Sequence, residues 1–127
     1  MPLGLVLVVE DEPLIAALVE AVLAEAGYEV LVAATGREAL TLLASPVQAL
    51  SGLITDINLG TGPTGWDVAD RARQLQPDVP VIYLTGDSEH QWRTRGGERS
   101  VLIAKPFRVE EVVSALASLI NCGGAAS

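Results

Sequence analysis

The feature that most constrains the fold is a short apolar run that ends in a single carboxylate, LITDIN at residues 53–58. Such a run is typical of a strand buried on both faces, and it would bring Asp56 to the strand's carboxyl end. Three other apolar runs end in polar residues: an acidic triplet at 10–12, Thr85 and Lys105. In an open parallel α/β sheet, ligands bind at that edge. The sequence therefore predicts that carboxylates, a hydroxyl group and an ammonium group meet at one edge of a sheet.

Helical patterns separate the strand-like runs along the chain. Strands are predicted at about residues 5–9, 28–33, 53–58, 79–84 and 100–104. Helices are predicted at about residues 13–26, 35–45, 66–75, 87–99 and 109–120, of which the fourth is polar and marginal. This alternation predicts an α/β domain in which helices cover both faces of a five-stranded parallel sheet. Right-handed crossovers then bring together the loops at the strands' carboxyl ends.

Length and composition predict a single domain over residues 1–127, with a core at about 4–120 and a flexible tail at 121–127. Half of the residues are hydrophobic, which argues against disorder. The net charge of -8 argues against nucleic acid and anionic membranes as partners. The sequence contains no signal-peptide pattern and no apolar run of the roughly 20 residues that span a membrane. A lone cysteine, Cys122, cannot form an internal disulfide. These features predict a cytoplasmic protein.

The acidic residues at the predicted sheet edge suggest a site for a divalent cation. Glu10, Asp11 and Asp56 would lie close together, and like charges repel unless a cation binds between them. Carboxylate oxygens suit Mg²⁺, which keeps several waters and takes one or two carboxylates directly. Zinc fits poorly because His90 is the only histidine. The alternative is a set of solvated loop acids that bind nothing.

The same edge has the groups that phosphoryl transfer needs. Asp56 would be the nucleophile that forms an aspartyl phosphate, while Lys105 holds one phosphoryl oxygen and the Thr85 hydroxyl group donates to another. A cis bond between Lys105 and Pro106 would turn the chain sharply and aim the ammonium group into the site. Three alternatives stay open: a surface lysine, a threonine that caps the next helix, and a trans proline that opens the last helix.

These motifs, in this order, resemble the receiver domain of two-component response regulators over about residues 4–120. The acidic pair Glu10-Asp11 comes first, and the pattern Leu-Ile-Thr-Asp then ends at Asp56. Thr85 comes next, followed by the Lys-Pro-Phe motif that begins at Lys105. Each motif is weak alone, but four in the family's order and spacing are specific.

The resemblance implies a flavodoxin-like fold with strand order 2-1-3-4-5. It implies that Asp56 accepts a phosphoryl group from a phosphohistidine of a sensor histidine kinase or histidine phosphotransferase. It also implies Mg²⁺ held by Asp11, Asp56 and the Asn58 carbonyl, with Glu10 acting through water. Such a domain catalyses only its own phosphorylation and dephosphorylation and acts on downstream proteins by contact.

Two features depart from the family's pattern. Leu102 stands where an aromatic residue usually follows the movement of the Thr85 hydroxyl group, so switching is predicted to take another route. The loop at residues 58–65 is one residue longer than the common form.

The first predicted helix has a broad apolar face, and exposure of Leu14 and Ala17 would suit binding to a helix of a kinase. Burial of both in the core is the alternative, and homodimerisation also stays open.

Four functions compete at this point. A stand-alone receiver is the first, and a receiver that belongs to a longer hybrid kinase or regulator is the second. A phosphatase of the haloacid dehalogenase type would need a second aspartate two residues after the nucleophile, where this chain has Asn58. A scaffold that is never phosphorylated is the fourth, and the presence of Asp56, Thr85 and Lys105 argues against it.

Overall fold

A computed structural model describes residues 3–45, 49–86 and 99–126, with only the backbone described from residue 122 onward. Its strands are β1 (Leu5–Val9), β2 (Glu29–Ala33), β3 (Leu50–Asp56), β4 (Val81–Thr85) and β5 (Ser100–Ala104). Its helices are α1 (Pro13–Glu25), α2 (Gly36–Ala44), α3 (Gly65–Leu75) and α4 (Val109–Ala126). Apart from Arg99, the marginal helix predicted at 87–99 lies outside the described residues.

All five strands are parallel and lie in the order β2-β1-β3-β4-β5, which confirms the predicted topology. Helices α2 and α3 pack on one face of the sheet, over a core that includes Leu7, Leu53 and Tyr83. Helices α1 and α4 pack on the other, over a core that includes Ile54 and Leu84. Because both faces are covered, β1 and β4, which flank the central strand, are buried along their whole length.

Strand β3 begins three residues before the predicted start and ends at Asp56, so the predicted bounds of 53–58 were wrong. Its first residues include Ser51 and Gly52, which are poor strand formers. Tertiary contacts override that propensity, because the Gln76 side-chain amide accepts from the Leu50 N–H at 2.8 Å and donates to its carbonyl at 2.6 Å. A longer side chain than glycine's at position 52 would also collide with Leu116.

Helix α1 buries only part of its apolar surface. Ala16, Val19 and Leu23 are buried, whereas Leu18 is 48% exposed and Leu14 is 70% exposed. The helix is apolar on nearly every side, so its periodicity could not show which side faces the core. The sequence left open whether Leu14 is exposed or buried in the core, and the structure shows that it is exposed.

Side-chain caps mark where two of the helices begin. Thr35 caps α2 by accepting from the Glu38 N–H at 3.0 Å, and Thr64 forms a full capping box with Asp67 at the start of α3. Helix α4 runs to Ala126, past its predicted end at 120, because glycines in this segment weaken a helix without forbidding it. In the described part of the chain, the helices are all too short or too polar to cross a membrane.

Candidate functional site

The carboxyl ends of four parallel strands bring the predicted site residues to one edge of the sheet. Glu10 follows β1, Asp56 ends β3, Thr85 ends β4 and Lys105 follows β5. The strand register fixes their neighbours, since Asp56 pairs with Leu84 and Thr85 pairs with the residue before Lys105. Residues that are up to 95 positions apart in sequence therefore meet in space.

Three carboxylates form a compact acidic cluster at this edge. One ligand atom each from Glu10, Asp11 and Asp56 lies within 4.8 Å of the others. Glu10 and Asp56 are buried, at 1% and 6% exposure, while Asp11 is exposed. An all-oxygen cluster that is open to water on one side fits a hard divalent cation such as Mg²⁺. The expected convergence of these acids is thus observed.

Lys105 bridges two of the three carboxylates. Its Nζ donates to Asp56 Oδ2 at 2.9 Å and to Glu10 Oε1 at 3.1 Å, and its side chain is only 24% exposed. The Lys105 N–H donates to the Thr85 carbonyl at 2.7 Å, and the Lys105–Pro106 peptide bond is cis. Burial lowers the pKa of Lys105, but its hydrogen bonds to Asp56 and Glu10 outweigh burial and leave the pKa raised. The surface-lysine alternative is therefore wrong.

Glu10 is the most unusual acid of the cluster. Its side chain is fully buried, and burial is the main reason why its pKa rises from 4.5 to about 7. The neighbouring charge of Asp56 raises the pKa further. Hydrogen bonds from the Glu12 N–H at 3.1 Å and from Lys105 act in the opposite direction. Near neutral pH, this carboxyl group is balanced between its neutral and charged forms.

The backbone around Asp56 is held from several sides. Its carbonyl accepts from the Thr55 hydroxyl group at 2.9 Å, and the Ile57 carbonyl accepts from the Gly65 N–H at 2.9 Å. Gly65 approaches so closely that an added Cβ would lie 2.8 Å from the Ile57 Cα and even nearer to the Asp56 carbonyl. This glycine fixes the start of α3 against the site, a role that the sequence analysis missed because it is one of three glycines in the loop at residues 58–65.

The remaining predicted residues differ in burial and in their contacts. Thr85 is buried at 1% exposure and touches the site through its backbone bond to Lys105. Asn58 is exposed on the loop after β3. Leu102 pairs with Tyr83 across β4 and β5, and both pack on the face that α2 and α3 cover.

Tyr83 is a second residue that the sequence analysis passed over. Its ring centroid lies 4.7 Å from that of Trp66, and its hydroxyl oxygen accepts from Arg73 Nη1 at 3.1 Å. Because alternate strand residues share a face, Tyr83 lies on the same side of β4 as Thr85. That alternation was the signal that could have found it.

A groove of about 410 Å³ opens beside the acidic cluster, between α1 and the segment that leads into α4. It shares Lys105 with the cluster, and its apolar lining continues onto the exposed leucines of α1. The residues that line it include Glu12, Ile15, Leu18, Lys105, Phe107 and Val109.

The sequence of this chain is similar to a known protein family and to several of its curated members. The profile of the response regulator receiver domain matches residues 6–117. The phyllosphere-induced regulator PhyR of Methylorubrum extorquens is 33% identical over 116 residues, which cover 91% of this chain and 43% of that protein. The regulatory protein VanRB of Enterococcus faecalis is 34% identical over 122 residues, which cover 94% of this chain and 54% of that protein. The chain thus spans about half the length of the curated relatives it matches.

Solved structures agree with these matches. A response regulator receiver protein from Sinorhizobium medicae superimposes with a TM-score of 0.88 at 30% identity, covering 93% of this chain and 94% of that one. The profile match covers most of the chain, and the strand order and the acidic edge of the sheet agree with it. The chain therefore belongs to the response regulator receiver domain family of two-component signalling.

Proposed function

We propose that Asp56 accepts a phosphoryl group from a phosphohistidine of a sensor histidine kinase or histidine phosphotransferase. The observation that supports this most strongly is the position of Asp56, which is buried, lies 2.9 Å from an ammonium group and stands within a cluster of three acids. In the transfer, the phosphorus–nitrogen bond breaks and a bond forms between phosphorus and an Asp56 oxygen. The imidazole leaves with the electron pair and takes up a proton.

Charge balance supports Mg²⁺ as the cofactor. When ionised, three carboxylates and one ammonium group leave two formal negative charges at the site, which one divalent cation would neutralise. Asp11, Asp56 and the Asn58 carbonyl would hold the ion, with Glu10 reaching it only through water. A bound ion would offset the charge of the incoming phosphoryl group.

The other site residues would orient the phosphoryl group. Lys105 presents a point charge beside Asp56, and this charge would stabilise a phosphoryl oxygen as transfer proceeds. Thr85 ends the neighbouring strand and would donate its hydroxyl group to another oxygen. The domain would catalyse only its own phosphorylation and dephosphorylation, and its predicted cytoplasmic location belongs to the same proposal.

The donor protein would dock over the groove beside the site. A phosphohistidine can reach Asp56 only if the surrounding donor surface covers this edge of the sheet, and the groove shares Lys105 with the site. Leu14 and Leu18 extend the apolar surface along α1. Such a surface suits an amphipathic helix of the donor. A downstream target and a homodimer stay predictions from the sequence.

Phosphorylation by acetyl phosphate tests the proposal without a kinase. Wild type and Asp56→Asn are incubated with Mg²⁺ and acetyl phosphate, and intact-protein mass spectrometry follows the gain of one phosphoryl group. The wild type should gain it and Asp56→Asn should not. Beryllofluoride, which mimics the phosphoryl group, should change the NMR spectrum of the wild type alone. If neither reagent distinguishes the two proteins, the domain is a scaffold and the proposal is wrong.

A further inference from the structure

Both carboxylate oxygens of Glu10 already have hydrogen-bond partners within the chain. Oε1 accepts from Lys105 Nζ at 3.1 Å, and Oε2 accepts from the Glu12 N–H at 3.1 Å. The side chain is fully buried, and the Glu10 N–H is fixed to the Ala33 carbonyl at 3.0 Å. Glu10 is therefore oriented toward Lys105 by contacts on both sides.

Asp11 stands in a different situation, although it is the next residue. It is exposed, whereas Glu10 is buried behind the strand end. Mg²⁺ retains most of its water and prefers one or two direct carboxylates, so an exposed carboxylate beside Asp56 suits it better than a buried one with two partners. The two neighbouring acids are thus suited to different cations.

Counting oxygens on Asp56 shows why Lys105 needs a second partner. A carboxylate has two oxygens, and Asp56 now uses Oδ2 for Lys105. In the proposed function, Asp56 would use one oxygen to hold the ion and the other to form the bond to phosphorus. No anionic oxygen of Asp56 then stays available to Lys105. The nearest carboxylate that can still hold the ammonium group beside the reacting atoms is Glu10.

We propose that Glu10 is a positioning residue that holds Lys105 in the site when Asp56 gives up its hydrogen bond to the ammonium group. This inference rests on the proposed function, because it explains how the lysine stays in place during transfer. The reach of the side chain matters: aspartate at this position would withdraw the carboxylate by about 1.5 Å, the length of one C–C bond. A contact of 3.1 Å would then become too long for a hydrogen bond.

The sequence offers a direct probe, because Lys105 is the only lysine among the 127 residues. Protein labelled with ¹³C-lysine gives NMR signals from Lys105 alone. A side chain held in one orientation shows two separate Hε signals, whereas a freely rotating one shows a single averaged signal. Asp56→Asn removes the anionic oxygens of Asp56 without needing an ion or a donor, so it mimics an Asp56 that is no longer available.

The spectra are compared at about pH 8, where carboxyl groups are ionised. The wild type and Asp56→Asn should each show two Hε signals, because Glu10 still holds the ammonium group. The double variant Asp56→Asn, Glu10→Asp should show one. If Asp56→Asn alone gives one signal, or the double variant keeps two, Glu10 does not hold the lysine. If the Glu10→Asp form does not fold, Glu10→Ala in the same background is judged by the same criterion.

Calorimetric titration with Mg²⁺ separates this role from that of an ion ligand. Glu10→Asp keeps the charge and should weaken the affinity clearly less than Asp11→Asn, which removes a carboxylate that would hold the ion directly and should cost about tenfold or more. An equally large loss in Glu10→Asp would mean that Glu10 serves the ion, and it would overturn the inference. Failure of the proposed function would look different, because the wild type itself would then bind neither Mg²⁺ nor beryllofluoride.

Discussion

Replacing Glu10 with glutamine tests how a buried carboxyl group affects the stability of the ion-free domain. Burial, together with the charge of Asp56, raises the pKa of Glu10 from 4.5 to about 7. In the unfolded chain this pKa returns to its usual value. Between these two pH values the folded state binds more protons than the unfolded state, so the free energy of unfolding must fall as the pH rises.

The magnitude follows from the size of the shift. Each pKa unit corresponds to about 1.4 kcal/mol, so a shift from 4.5 to about 7 corresponds to about 3 kcal/mol. This stability is fully present below about pH 4.5, and it is lost as the pH rises through about 7. Glutamine has nearly the same shape and carries no charge at any pH, so Glu10→Gln should lack this contribution.

Urea unfolding in the presence of EDTA, from pH 5 to pH 8, measures the effect. The difference in unfolding free energy between wild type and Glu10→Gln should change across this range by about 2–3 kcal/mol, in the direction that disfavours the wild type at high pH. Saturating Mg²⁺ is the control, because an ion favours the charged carboxylate and should shrink the pH dependence. Equal pH profiles for the two proteins in EDTA would refute the reasoning.

Three other substitutions test separate parts of the structure. Leu14→Asp, at an exposed position, should change stability by less than about 0.5 kcal/mol yet impair transfer from the cognate kinase, and normal transfer would contradict the docking surface. Tyr83→Phe should lose about 1 kcal/mol in urea unfolding because it removes the hydroxyl group bonded to Arg73, and an unchanged midpoint would contradict this. Gly65→Ala should lose about 1–3 kcal/mol because its Cβ meets backbone, whereas Gly86→Ala, which meets nothing within 4 Å, should be nearly neutral in the same assay.

Much of the fold could be predicted because its signals are local and repeat along the chain. Each apolar run of strand length is followed by a helical pattern, and the alternation rule converts that order into a parallel sheet. The same rule predicted that Glu10, Asp56 and Lys105 would meet, since parallel strands present their carboxyl ends at one edge. Strand order came from the resemblance of these motifs to a family, because hydrophobic periodicity does not report which strands are neighbours.

The errors arose where tertiary contacts outweigh local preference. Ser51 and Gly52 have low strand propensity, yet they lie in β3 because the Gln76 side-chain amide forms hydrogen bonds with the backbone of Leu50, where the strand begins. The buried side of α1 could not be predicted in full because apolar residues surround the helix, so burial is decided by where the sheet and α4 lie. The contact of Lys105 with Glu10 was missed for a similar reason. A sequence shows which charges share an edge but not which of them pair.

The pairing of charges explains how one site can tolerate three acids with or without an ion. Without a divalent cation, the Lys105 ammonium group is the nearest counter-charge, and it is shared between Asp56 and Glu10 at similar distances. The raised pKa of Glu10 provides a second way of reducing charge, because the group can take up a proton near neutral pH. A cation that binds here would therefore displace a proton and one lysine contact, and it would not enter a cavity with an uncompensated negative charge. The affinity for the divalent cation should then depend on pH over the same range as the free energy of unfolding, because the protonation of Glu10 affects both.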